Sequence, residues 1–120
     1  MAAAIQPRPS VPVPYVAGRV VLVANTVANL LTLVQGQLEP DCPGAAVEVA
    51  LTADAANGGS VYLGAYSYLG GPLTATNWGY ELKPGDVRVY QSTYPGSSTP
   101  LGAVQVLATG QAWLHVEVQT

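Results

Sequence analysis

The stretch from Val61 to Tyr90 constrains the fold most, because its residues alternate between strand-forming and turn-forming chemistry within one short run. Val61-Tyr62-Leu63-Gly64 reads as a strand. An aromatic loop follows, then a short strand from Gly79 to Leu82, the turn Lys83-Pro84-Gly85-Asp86 and a strand Val87-Arg88-Val89-Tyr90. Pro84 sets φ for the first central position of a type II turn, and Gly85 supplies the positive φ needed at the next. A chain punctuated in this way has to pair strands across turns. The period-two pattern predicts Val87 and Val89 on the inward side and Arg88 and Tyr90 opposite.

The same grammar extends in both directions. Gly18 opens a β-branched strand, Arg19 to Val23, which Asn25-Thr26 interrupts. A longer strand is then predicted from about Val27 to Leu38, with Leu31 and Leu33 on one face and Leu30 and Val34 on the other. Both faces are apolar, so this strand must lie between two layers or be covered by a neighbouring subunit. Beyond the turn Glu39–Gly44, Val47, Val49 and Leu51 alternate with polar or small residues. Asn57-Gly58-Gly59 suits a turn with positive φ, and Tyr94–Pro100 makes a further long turn. Two closing strands, Ala103–Ala108 and Gln111–Gln119, meet at Thr109-Gly110. The last places Ala112, Leu114, Val116 and Val118 opposite Trp113, His115 and Glu117. No helix is predicted. The expected fold is all-β, a two-layer antiparallel β-sandwich of about eight short strands spanning residues 18–120.

Residues 1–17 differ in kind. Pro7, Pro9, Pro12 and Pro14 disfavour helix and central strand and favour an extended, polyproline-like arm. Such a segment is either a disordered tail or a docking arm. The interleaved Val11, Val13 and Tyr15 favour docking, as contacts on a neighbouring subunit.

A chain of 120 residues is the size of one domain. Only 9% of its residues are charged and 49% are apolar, whereas a soluble domain carries roughly a quarter charged. Much of its surface is therefore expected to be covered by other protein, although a small Ala/Gly/Thr/Ser-rich β domain would share this composition. The net charge is -3, and the basic residues are Arg8, Arg19, Lys83 and Arg88. They form no stripe that could track phosphates, which argues against nucleic acid as a partner. Cys42 is the only cysteine, so no intrachain disulfide can form. No apolar run has the length of a membrane span, and the opening residues lack the pattern of a secretion signal.

No constellation predicts catalysis. His115 is the only histidine, with Trp113 and Glu117 as its period-two neighbours. A Glu-His pair would need a nucleophile beside it to act in hydrolysis, and a solvated or interfacial row is the plainer reading. Cys42, next to Pro43 in a turn, reads as a small packed residue. Glu39 and Asp41 supply too few oxygens for a calcium loop, and Gly64, Gly70, Gly71 and Gly79 precede no helix that could hold phosphate. Catalytic, cofactor and metal sites are thus all expected to be absent. The loop aromatics Tyr66, Tyr68, Trp78, Tyr80 and Tyr94 leave three readings open: a sugar-stacking platform, anchors in a protein interface, or covers over an open end of the sandwich.

Four elements carry a family resemblance: Val61-Tyr62-Leu63-Gly64, Thr74-Ala75-Thr76-Asn77-Trp78-Gly79, Leu82-Lys83-Pro84-Gly85-Asp86 and Ala108-Thr109-Gly110. In their order and spacing, residues from about Ala45 to Gln119 resemble small β-sandwich structural proteins of tailed-bacteriophage virions. The resemblance implies a non-enzymatic role on the virion, as a capsid decoration (cement) or head-fibre protein. The expected partner is the major capsid protein, at the outer surface of the head. The alternatives are a tail or fibre component and a carbohydrate-binding module that recognises glycans. Self-association is expected as well, with Leu30, Val34 and Trp113 at the subunit boundary. A trimer matches the threefold positions that capsid lattices offer.

Overall fold

Two four-stranded antiparallel sheets realise the alternation. The structure is a computed structural model, and residues 15–64, 72–91 and 98–120 are described. Val11, Val13, Tyr66, Tyr68 and Tyr94 lie outside these residues. The first sheet runs in the order β1 (Tyr15–Leu22), β10 (Ala112–Gln119), β4 (Glu48–Ala53) and β7 (Val87–Gln91). The second runs β2 (Ala28–Asn29), β9 (Gln105–Ala108), β5 (Val61–Gly64) and β6 (Tyr80–Leu82). A separate pair joins β3 (Ala45–Ala46) to β8 (Thr99–Pro100). The protein is thus an all-β sandwich, as its turn chemistry predicts.

The core follows from period two. Val16, Val20 and Leu22 of β1, Leu114, Val116 and Val118 of β10, and Val49, Leu51 and Ala53 of β4 are buried. They belong to one continuous cluster with Val61, Leu63, Leu82 and Val106 of the second sheet. Gly85 has φ of 90°, as the type II turn requires. The turn is further held by Gly85 N–H on the Ala53 carbonyl at 2.9 Å and by Lys83 N–H on the Asp86 carboxylate at 3.0 Å.

The largest correction concerns Val27 to Leu38. Only Ala28 and Asn29 are strand there; Leu30–Gln37 is a helix, α1. Asn29 starts it by accepting the Thr32 N–H at 3.3 Å, the bond expected of an N-cap asparagine. Leu30 and Val34, four apart, then share one helical face and are both 0% exposed. They are covered within the chain and do not form an apolar face for another subunit. A short apolar run satisfies both the period of a strand and that of a helix, and here the N-cap and the core to be filled decide for helix.

Three smaller corrections follow. β1 begins at Tyr15, so the last three residues of the expected arm belong to the sandwich. Asn57-Gly58-Gly59 contains no positive φ; among the described residues only Asn25 (58°) and Gly85 have one. The inward side of β7 is also the reverse of the prediction. Tyr90, half-buried, pairs with buried Val49, and Arg88 pairs with buried Leu51 but is itself exposed, while Val87 and Val89 on the outer face remain 51% and 42% exposed.

Candidate functional site

Two surfaces combine unusual chemistry with access. The first is the outer face of the first sheet. Strand register sets Arg19, His115, Thr52 and Val87 in one row, and Ala17, Glu117, Ala50 and Val89 in the next. Tyr15 and Val21 are exposed on the same face. Trp113 is half-buried there, with the Arg19 guanidinium 4.9 Å from its ring centre. Stacking of this kind lets the ring remain at the surface while losing part of its contact with water.

His115 does not pair with Glu117. Its Nε2 lies 2.8 Å from Oδ2 of Asp54, at the start of the Asp54–Gly59 turn. The Ala56 N–H on the Asp54 carboxylate, at 2.8 Å, and the His115 bond hold this carboxyl below its ordinary range. Asn57 is the buried polar residue behind that turn. Its side-chain amide accepts from Trp113 N–H at 2.9 Å and donates to the Trp113 carbonyl at 3.0 Å. On the other side Gln37 of α1 does the same for Val21, accepting from its N–H at 2.7 Å and donating to its carbonyl at 3.0 Å. Val21 and Trp113 are cross-strand partners. Two side-chain amides therefore continue the ladder on either side of this pair, and Gln37 closes part of the free edge of β1.

The second surface is a cleft of about 490 Å³ lined by Leu63, Gly64, Gly79, Tyr80, Arg88, Tyr90 and Val104. It lies where β6 and β7, the last strands of their sheets, approach each other. The Arg88 guanidinium sits 4.8 Å from the ring centre of Tyr80 and 5.1 Å from that of Tyr90.

The predicted site residues separate accordingly. Tyr15 and Trp113 lie on the outer face of the first sheet, while Tyr80 lines the cleft. Trp78 packs on Tyr62 with ring centres 5.8 Å apart and planes tilted by 35°. Its indole N–H donates to the Ala75 carbonyl at 3.1 Å. Trp78 and Tyr80 thus have different partners, the Tyr62 ring and the Arg88 guanidinium. Leu30 and Val34 leave the surface altogether. Arg88, Tyr90 and Arg19 were missed as site residues. The signal available for Arg88 was a lone cation in an apolar strand.

Cys42 is buried, and burial, followed by the charge of Glu39, pushes its thiol pKa up, which disfavours the thiolate. The Glu39 carboxylate accepts the Asp41 N–H at 3.2 Å, a local turn contact. Among the described residues no group of three His, Cys, Asp or Glu side chains is placed to hold a metal, and no helix is long and apolar enough to cross a membrane. Compared with family models, curated proteins and solved structures, the chain finds no match.

Proposed function

We propose that this protein is a non-enzymatic structural component of a tailed-phage virion, a decoration protein that binds the outer surface of the capsid and stabilises it. The observation that carries the reading is the outer face of the first sheet. There Tyr15 and Val21 are exposed on β1, the strand whose Arg19 stacks on Trp113, and Val87 and Val89 are exposed on β7 at the opposite edge of the same face, in a chain with 9% charged residues. Apolar and aromatic side chains gathered on one sheet face suit protein docking. The motif resemblance of residues 45–119 gives the docking partner its class, the major capsid protein. A ligand that binds only the assembled shell shifts it toward assembly by mass action. Self-association is proposed through this same face.

Mass spectrometry of purified virions containing this chain is the test. Copies in numbers comparable to the capsomers are expected. Few copies, confined to tail fractions, would replace the decoration role with a tail or fibre role, and none at all would end the virion reading.

A further inference from the structure

Every residue of β7 except the half-buried Tyr90 is exposed, yet register sets the sides against the sequence pattern. Val87 and Val89 lie on the outer face, while Arg88 pairs with Leu51 on the core-facing side and stays exposed at the open margin of the sandwich. By the hydrophobic effect alone, the opposite arrangement would be preferred. Such local conflicts between pattern and burial concentrate at functional positions.

What Arg88 does there is narrowed by its partners. Tyr80 and Tyr90 hold the guanidinium by their rings, which leaves its in-plane N–H donors available. All seven carboxylate side chains of the protein, Glu39, Asp41, Glu48, Asp54, Glu81, Asp86 and Glu117, lie among the described residues. Asp54 is hydrogen-bonded to His115, and Arg88 has no carboxylate partner among the described residues. A planar donor fork in a concave, largely apolar cleft matches a carboxylate carried on an apolar body.

We propose that the cleft between β6 and β7 is a carboxylate pocket that seats a Glu or Asp side chain from an extended segment of the capsid protein. This rests on the docking role above and names the chemistry of the partner. The carboxylate pairs with Arg88, and apolar residues two positions to either side of it, which share its face of the extended segment, rest on Leu63 and Val104. The segment runs along the outer edge of β7, which among the described residues is the last strand of its sheet and can accept an added strand. A protein segment fits better than an acidic sugar. A sugar presents several hydroxyls, whereas among the described residues the side-chain polar groups in the cleft come only from Arg88, Tyr80 and Tyr90.

The test is NMR titration of the full free chain with three probes: N-acetyl-Val-Ser-Glu-Ser-Val-amide, its counterpart with Gln in place of Glu, and sodium glucuronate. Saturable shifts at the Arg88 Nε–H and the Tyr80 and Tyr90 rings are expected with the glutamate peptide. The glutamine peptide should bind about tenfold or more weakly, as should the glutamate peptide to Arg88→Gln. Unshifted methyl signals of Val20 and Leu114, buried on β1 and β10 away from the cleft, report that the variant is folded. Arg88→Lys, which keeps the charge but loses the fork, should also weaken binding, and carries the test if Arg88→Gln does not fold. Equal response to both peptides, or no saturable response, would overturn the proposal. Glucuronate binding as tight as the glutamate peptide would overturn the protein occupant in favour of an acidic sugar. The titration needs no capsid, so it can fail while virion occupancy stands, and the reverse.

Discussion

At the scale of single residues, Asn57 illustrates how one amide can close a sheet. It satisfies both backbone groups of Trp113 from a buried position. Asn57→Ala leaves the Trp113 N–H without its partner and the carbonyl with only the Asp54 N–H at 3.2 Å, so a loss of about 1–3 kcal/mol is expected in urea denaturation. The substitution Asn57→Asp should restore stability only in part, because a carboxylate can accept from the N–H but cannot donate to the carbonyl. The neighbouring Asp54 makes a pH prediction. Its carboxyl is held below the ordinary value of 3.8, first by the Ala56 N–H and then by His115. A group with a lowered folded pKa contributes its stabilisation above the unfolded value and loses it as pH falls through the folded one. Stability should therefore decline from about pH 4 downward, and Asp54→Asn should flatten that part of the profile. An unchanged acid limb in the variant would show that other carboxylates dominate.

At the scale of elements, α1 is the piece that period-two reasoning misread. Leu30 and Val34 are each 0% exposed, inside the same cluster as the strands. Leu30→Ala is expected to cost about 2–5 kcal/mol, read as a lower denaturation midpoint. The effect belongs to folding, so any self-association should persist wherever the variant remains folded. The C-terminal end of α1 also meets β1. A side chain at Gly18 would collide with Leu38, so Gly18→Val should destabilise while a smaller residue at Leu38 restores part of the loss. Gln37→Ala removes the two bonds to Val21 and opens part of the β1 edge. A modest stability loss with increased concentration-dependent association is the expected result, measured by denaturation and sedimentation.

At the scale of the whole molecule, the two proposed contact regions lie on the first sheet and at its β7 margin, while the helix fills the core elsewhere. This arrangement separates folding from attachment. Deleting residues 1–14 removes the Pro-rich segment and spares every described strand of the sandwich, since β1 begins at Tyr15. The truncated protein should keep the denaturation midpoint of the full chain and bind capsids more weakly. Prolines reduce the ordering cost that such a segment incurs on docking, which is otherwise roughly 1–2 kcal/mol per residue. Unchanged capsid occupancy after deletion would remove the arm from the attachment mechanism.

The residues by themselves determined the all-β class, the register-bearing strands β4 and β10, and the Pro84-Gly85 turn. Each follows from local chemistry: side-chain alternation, or a backbone conformation that few residues tolerate. Tertiary structure decided whether Leu30 to Leu38 coiled or extended, because that apolar run fits either period and only the core to be filled and the Asn29 cap distinguish them. It also decided which side of β7 faces inward. The contrast between valine and arginine favours the opposite orientation, but the Tyr80 and Tyr90 rings that receive Arg88 meet only when the two sheets close.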